Sequence, residues 1–483
     1  MTLFLAGVYL VMLAGVGAWS ARRVRGPRDY FIAGQRAGLW AVGLSTMSAA
    51  FSAFVFLGGP GLAYRVGAGS LFIALPVGFT AAFLCWTLAR PLREMSADGS
   101  VFTVADVLAR RFDDRRVQGL AACCVLAGVV GYLGLQLKAL GVLFQSVFGI
   151  SSLPLAVALG AAVILAYSLF GGMLAGLYTD VLQGAIMLAG AALLCAHAVH
   201  TAGGPDAVLS SVAGSEAFGP GFLDPDGRLP QATLAGFFLV FGVGVAGQPH
   251  MVHKFFMIAD VQRLRFLPAI IGGAQSLCLL VWLGLGLAIP ALVAQGRLAP
   301  VAQADKATLA YLAELAPAAL AGVAMAALLA AIMSTADSFM NIGAAALMRD
   351  LPRALGRPLR DEVLAARGAT VALTGVAAAF ALAYGDLIAA LGTFSFSTFA
   401  AGLAPVLLIG LAWPRVGAAA AGASIAVGTG LNLGLEFLAR NDLFPGALGM
   451  APGTLPGAVS LSVSFLILLT MTWLRPDPRE ESA

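Results

Sequence analysis

The chain has 483 residues, of which 60% are hydrophobic and only 11% charged, with a formal net charge of +4. Mean hydropathy is +0.92. This balance excludes an ordinary soluble domain and points to repeated apolar spans of roughly 20 residues each. Basic residues sit in short blocks between apolar runs, which is a topology signal and not a nucleic-acid footprint. Cys85, Cys123, Cys124, Cys195 and Cys278 lie within apolar runs, with no disulfide or metal spacing, and read as small core hydrophobes.

The pattern predicts an all-α integral membrane protein with about thirteen spans. These fall near 2–20, 40–64, 70–90, 118–148, 151–170, 172–199, 232–252, 266–294, 308–347, 366–384, 387–411, 416–438 and 457–474. One transmembrane domain, 1–483, is expected. The first run ends in Arg22-Arg23 with no cleavage pattern, so it reads as a span and not as a removable signal. Residues 101–112 predict a short surface helix, and 200–231, rich in Gly, Pro, Ser and Asp, an external loop or lid. The 308–347 run is too long for one crossing, so its ends extend beyond the bilayer or a re-entrant turn lies near Pro317. The tail after Arg475 is too short for a catalytic or signalling domain.

With the N-terminus outside, 22 of the 28 Lys and Arg fall in cytoplasmic loops, Lys254 and Arg349 among them. Arg65, Arg228, Arg297, Lys306 and Arg440 fall outside, and Lys138 within a span. The expected arrangement is a multi-pass protein of the cell inner (plasma) membrane with a cytoplasmic C-terminus.

Two spans are interrupted. One holds Phe56-Leu-Gly-Gly-Pro-Gly61 and the other Phe241-Gly-Val-Gly-Val-Ala-Gly-Gln-Pro249. Backbone groups freed at membrane depth must line a cavity or be buried in protein. The breaks are five spans apart, as in a five-plus-five inverted repeat whose halves each open with a discontinuous helix. The halves are expected at about 40–199 and 232–411, with peripheral spans at 2–20, 416–438 and 457–474.

The stretch from Ala326 to Asn341 is apolar for two turns and then polar. Ser334, Asp337, Ser338 and Asn341 recur at i, i+3, i+4 and i+7 on one face, with Thr335 beside it. Polar and ionisable groups at this depth are expensive and mark a site. Hydroxyls and carbonyls suit a hard cation such as sodium. Hydroxyls alone also serve as helix glue or caps, Asp180 also reads as a helix N-cap, and Asp337 as a satisfied packing aspartate.

Ala331-Ile-Met-Ser-Thr-Ala-Asp-Ser, followed by Met348-Arg-Asp-Leu, resembles the signature helix of the sodium/solute symporter family. Asp29-Tyr-Phe-Ile-Ala-Gly-Gln, Leu44-Ser-Thr-Met-Ser-Ala-Ala-Phe-Ser, Gly171-Gly-Met-Leu-Ala-Gly-Leu-Tyr-Thr-Asp-Val-Leu-Gln183 and Gly247-Gln-Pro-His250 resemble further family motifs, in order. The resemblance spans about 30–415 and implies a LeuT-type inverted repeat and sodium-coupled symport. It implies a sodium site of Ser48, Phe51 and Ala331 carbonyls with the Ser334 and Thr335 hydroxyls. It also implies a second sodium site at Asp180, with Ser334, Asp337 and Ser338. Proline carriers of the family have aspartate where this chain has Ala50 and tryptophan where it has Phe54, which argues against proline.

Lys138 lies in the fourth span beside Gln136. It is expected to pair with a substrate carboxylate, or structurally with Asp337 or Asp180, with proton coupling as a third reading. Ser52, Phe54 and Gln248 are further expected solute contacts. The pairs His197/His200 and His250/His253 lie near span ends without metal-ligand spacing and read as interface histidines. The function expected is import of a small organic solute, an organic anion or carboxylate, with Na+ as coupling ion. A transporter-like sensor and a proton-coupled symporter are the alternatives. No nucleophile–base pair supports an enzyme. The lipid bilayer and the solute are the expected partners, with no obligate protein partner.

Overall fold

A computed structural model describes residues 2–219, 221–384 and 388–475. Among them the chain is all-helical, with one isolated bridge between Ala37 and Ile258. The main helices are α1 Thr2–Ala21, α2 Leu39–Ala50, α3 Gly59–Val66, α4 Val77–Leu84, α5 Arg115–Phe148, α6 Leu153–Thr201 and α7 Gln231–Gly242. They continue with α8 Leu267–Ala294, α9 Ala318–Ala345, α10 Glu362–Ala383, α11 Ile388–Pro405, α12 Ala418–Arg440 and α13 Pro456–Leu474. Among the described residues nine helical stretches are long and apolar enough to cross a membrane, and four more apolar helices run 10–17 residues. Trp86, Phe437 and Trp473 stand exposed on outer faces, while Ser, Thr, Asp and Lys side chains are buried inside. That inversion suits a lipid surround, where helices gain little by hiding apolar groups from one another.

The α9 helix is central. It packs on α6, α5, α1, α10 and α2, while α11 packs on α5, α12 and α13. The long apolar run at 308–347 divides as the proline suggests: a short helix, Ala307–Glu314, precedes α9, which Pro317 opens. The α6 helix joins the fifth and sixth predicted spans through one non-helical residue, Gly172, at φ 54° and ψ −157°. A Cβ there would lie 2.7 Å from the Tyr30 carbonyl oxygen, so the bend accepts only glycine. The short helix expected at 101–112 is Val104–Phe112, but six of its nine residues are buried, so it is packed into the protein and not a surface helix; the 200–231 segment contains a helix, Pro205–Ala213, where the sequence suggested only loop.

Both predicted breaks are present. The α2 helix ends at Ala50, and Phe51 is extended (φ −97°, ψ 98°) before a wide turn at Phe54–Gly58 leads into α3. The α7 helix ends at Gly242. Gly244–Gly247 turns tightly, Gln248 is extended (φ −77°, ψ 102°), and a short helix, Pro249–Val252, follows.

Two basic residues counted as loop charges are buried. Lys254 is fully inaccessible, and Arg349 is 2% exposed. Arg349 Nε donates to Asp106 at 3.0 Å and Nη1 to Glu362 at 2.5 Å, and the guanidinium lies 4.1 Å from the Phe102 ring centre. Arg353 also binds Glu362, and Thr103 donates to Asp350 at 2.9 Å. The Met348-Arg-Asp-Leu motif is thus the hub of an ion network joining residues 100–106, the end of α9 and the start of α10. Cys123 is exposed, contrary to its reading as core.

Removing one partner of a buried charge cluster strands the others without solvation. Arg349→Ala is therefore expected to destabilise the protein by about 3–5 kcal/mol, read as a lower unfolding midpoint in detergent. An unchanged midpoint would show that Asp106 and Glu362 are satisfied in some other way.

Candidate functional site

The polar face of α9 meets the end of α2. Ser334 Oγ donates to the Ser48 carbonyl at 2.9 Å and to its own helix at Ala331 O, 3.3 Å. Thr335 Oγ1 donates to the Ala49 carbonyl at 3.1 Å. So Ser48, Ala331, Ser334 and Thr335 come together as the motif implies, with Ala49, which the sequence did not single out, taking the threonine. Phe51 stands at the break itself. The amide of Phe54 turns to Ser52 Oγ at 3.1 Å and that of Val55 to Ser52 O at 3.0 Å, away from the helical pairing with Ala50 and Phe51. Their carbonyls are thereby released from the α-helical ladder next to the two hydroxyls. Such a cluster of neutral oxygens has the donor chemistry for a hard monovalent cation.

Three polar side chains steady the breaks. Gln136 Oε1 accepts from the Ala53 amide at 3.3 Å, and Ser52 Oγ lies 3.4 Å from Tyr132 Oη. Gln248 Nε2 donates to Phe396 O at 3.0 Å and Gly244 O at 3.3 Å, tying the α7 break to α11. Phe54 lines a cavity of about 60 Å³ between the two breaks, with Tyr132, Phe241, His250, Trp282 and Phe396. Phe54 stacks on Phe241 at 5.6 Å, and Phe241 meets Phe396 at 4.4 Å.

The second cluster holds a residue that sequence reasoning missed. Asp180 Oδ2 accepts from Lys254 Nζ at 2.8 Å and from Ser45 Oγ at 2.6 Å, all fully buried. Asp180 thus pairs with Lys254, not with Lys138, and its side chain does not cap a helix N-terminus but sits inside α6. The apolar run after Pro249, Met251-Val-His-Lys-Phe-Phe256, was the available signal that Lys254 is not a loop residue. Asp337 accepts from Asn341 Nδ2 at 3.3 Å, and a Cβ on Gly176 would sit 2.5 Å from its Oδ2. Gly176 and Asp180 are one turn apart, so Asp337 faces the α6 surface that carries Asp180. Asp180 Oδ1 and Ser338 Oγ are buried without a partner among the described protein atoms.

Lys138 lies elsewhere, in a separate cavity of about 750 Å³ with Tyr64, Arg65, Gln145, Asp305 and Lys306. Burial raises the Asp305 carboxyl above its usual range, against the Ile388 amide hydrogen bond and the Lys138 and Arg65 charges, which lower it. His250 and His253 are not interface residues. His250 is 1% exposed and packed against Tyr132 and Phe339, while His253 Nε2 lies 2.7 Å from Phe31 O. His197 is hydrogen-bonded to Tyr311, and no metal-binding group of His, Cys, Asp or Glu occurs among the described residues.

Asp180→Asn is expected to cost about 3–5 kcal/mol of stability, because it strands the Lys254 ammonium. The double change Asp180→Leu with Lys254→Met should recover most of that loss in thermal unfolding. A single variant as stable as the parent would mean that the pair contributes nothing.

The description "Sodium:solute symporter family" matches residues 30–428. The osmoregulated proline transporter OpuE of Bacillus subtilis (strain 168) is 27% identical over 432 residues, 87% of this chain and 86% of that protein. A substrate-bound, outward-open Na+-coupled sialic acid symporter superposes with a TM-score of 0.79 at 17% identity, over 99% of this chain and 98% of that one. The nucleobase-cation-symport-1 transporter MHP1, closed on bromovinylhydantoin, gives 0.54 at 14% identity, over 93% and 94%. The fold is LeuT-like, and the relatives are transporters, not enzymes. The chain belongs to the sodium:solute symporter family.

Proposed function

We propose that the protein is a sodium-coupled symporter that imports a small organic anion, a carboxylate, by alternating access. The observation that carries this is the junction of α2 and α9, where two hydroxyls meet the carbonyls of a broken helix beside an aromatic cavity. In this reading Na+ binds among the oxygens of Ser48, Phe51, Ala331, Ser334 and Thr335. Its neutral ligands hold it weakly enough for release. A second sodium ion takes Asp180, Asp337 and Ser338, supported by the unpartnered Asp180 Oδ1 and Ser338 Oγ. The two broken helices open inverted repeats at 40–199 and 232–411. The N-terminus faces outside and the C-terminus the cytoplasm of a plasma membrane, with no obligate protein partner.

The solute class rests on charge. Among the described residues no Asp, Glu, Lys or Arg lines the central cavity, so the solute's charge is met by oriented dipoles at the helix breaks. The larger cavity presents Lys138, Arg65 and Lys306 against Asp305 among its described lining residues. A cleft of one predominant sign concentrates counter-ions and speeds their entry. Lys138 then acts as a steering charge on the path, with Phe54, Ser52, Gln136 and Gln248 shaping the pocket. OpuE is named for proline. Ala50 and Phe54 differ from the proline carriers' aspartate and tryptophan and favour another carboxylate here.

Ser334→Ala is expected to abolish the sodium dependence of uptake in proteoliposomes; uptake with an unchanged sodium response would sink the ion site. Lys138→Gln should slow anion uptake several-fold at low salt, with the difference shrinking at high salt as screening grows. Asp337→Asn should lower the Hill coefficient of sodium activation, and an unaltered coefficient would remove the second site.

A further inference from the structure

A cation of the chain itself sits on a carboxylate assigned above to the second sodium ion. Lys254 Nζ donates to Asp180 Oδ2 at 2.8 Å, and both side chains are fully inaccessible. Ser45 Oγ donates to the same oxygen at 2.6 Å, while Asp180 Oδ1 has no partner among the described protein atoms. The carboxylate is thus half used, with an ammonium on the used half. Asp337 belongs to the same cluster. A Cβ on Gly176, one turn from Asp180, would lie 2.5 Å from its Oδ2, and Asp180 and Lys254 both act on its charge. Two carboxylates and one ammonium, all ionised, leave one net negative charge, which one monovalent cation balances.

The ammonium is held where it is. Lys254 lies in the tight turn His253–Met257. That turn is fastened at both ends: His253 Nε2 lies 2.7 Å from Phe31 O, and the Ala37 amide donates to Met257 O at 3.0 Å. Arg93 Nε donates to the next carbonyl, Ile258 O, at 2.7 Å. Withdrawal from Asp180 would strand a buried ammonium, which is strongly unfavourable. An ion entering the cluster therefore meets two carboxylates that attract it and a fixed ammonium that repels it. In a poorly polarisable interior such repulsion is far stronger than in water.

We propose that Lys254 is a tethered cation that lowers the affinity of the second sodium site and so keeps that ion releasable. This rests on the second-site reading above. Sodium at the first site is bound weakly because its oxygens are neutral. A site with two carboxylates lacks that safeguard, and the ammonium supplies it.

The test titrates sodium chloride against potassium chloride at constant ionic strength on the full-length protein in detergent. Thermal unfolding and the binding of radiolabelled sodium are both read. Lys254→Met should lower the sodium concentration that half-saturates the second ion by roughly ten-fold or more. Lys254→Gln keeps an N–H donor for Asp180 without the charge; it should shift the same way, and it carries the test where Lys254→Met does not fold. Lys254→Arg keeps the charge and should stay near the parent value. A purely structural ion pair predicts the opposite sign, because breaking it loosens the site and raises the sodium required. Half-saturation unchanged or raised in the neutral variants, with Asp337→Asn binding fewer sodium ions than the parent, overturns the inference and leaves the second site standing. An Asp337→Asn variant that binds as many sodium ions as the parent overturns the second site itself, and the inference with it.

Discussion

Two hydroxyl groups hold the broken helix in place. Ser334 and Thr335 donate to the carbonyls of Ser48 and Ala49, one residue apart on each strand of the junction. In a lipid surround a backbone group released from its helix has no water to fall back on, so a break survives only where protein atoms meet it. Around this junction the neighbouring amides are met as well, by Ser52 Oγ and Gln136 Oε1. The second break obeys the same constraint through Gln248 and the Phe396 carbonyl. The cavity between the breaks exists because both chains are held open in this way, and its aromatic wall fills what the backbone leaves.

The same constraint places the charges. Asp180 and Lys254 neutralise one another at full burial, with Ser45 completing the aspartate oxygen. Attraction in a poorly polarisable interior offsets the loss of hydration only when geometry and hydrogen bonding are good. Lys254 sits on the chain just after the α7 break, and Asp180 on the helix facing the α9 polar stripe. The pair therefore links the segment beside the cavity to the helix that faces the candidate ion ligands of α9.

Much of this was legible in the residues. The i, i+3, i+4, i+7 polar stripe sits inside an apolar run and could lie only on a buried helix face. The glycine–proline interruptions marked both breaks, and Pro317 divided the long apolar run. Other features were not legible. Lys254 looked like one more basic loop residue, because its partner Asp180 lies 74 positions away. Thr335 reached Ala49 because its bond depends on helix rotation, which periodicity does not fix. His250 read as an interface residue because its partners Tyr132 and Phe339 come from two other helices. Gln275 gave no signal at all, since a lone glutamine in an apolar helix is ordinary until the structure places it on a cavity wall. Spacing along one helix is visible in a sequence; which faces meet across helices is not.

The Arg349 cluster has a mechanical consequence. One guanidinium is shared between Asp106 and Glu362, and Glu362 is shared in turn with Arg353. The three elements they join cannot part gradually. Separation beyond hydrogen-bond distance unpairs several buried ions together. Losing any one of these contacts therefore exposes its neighbours in the cluster to the cost of an unpaired buried charge.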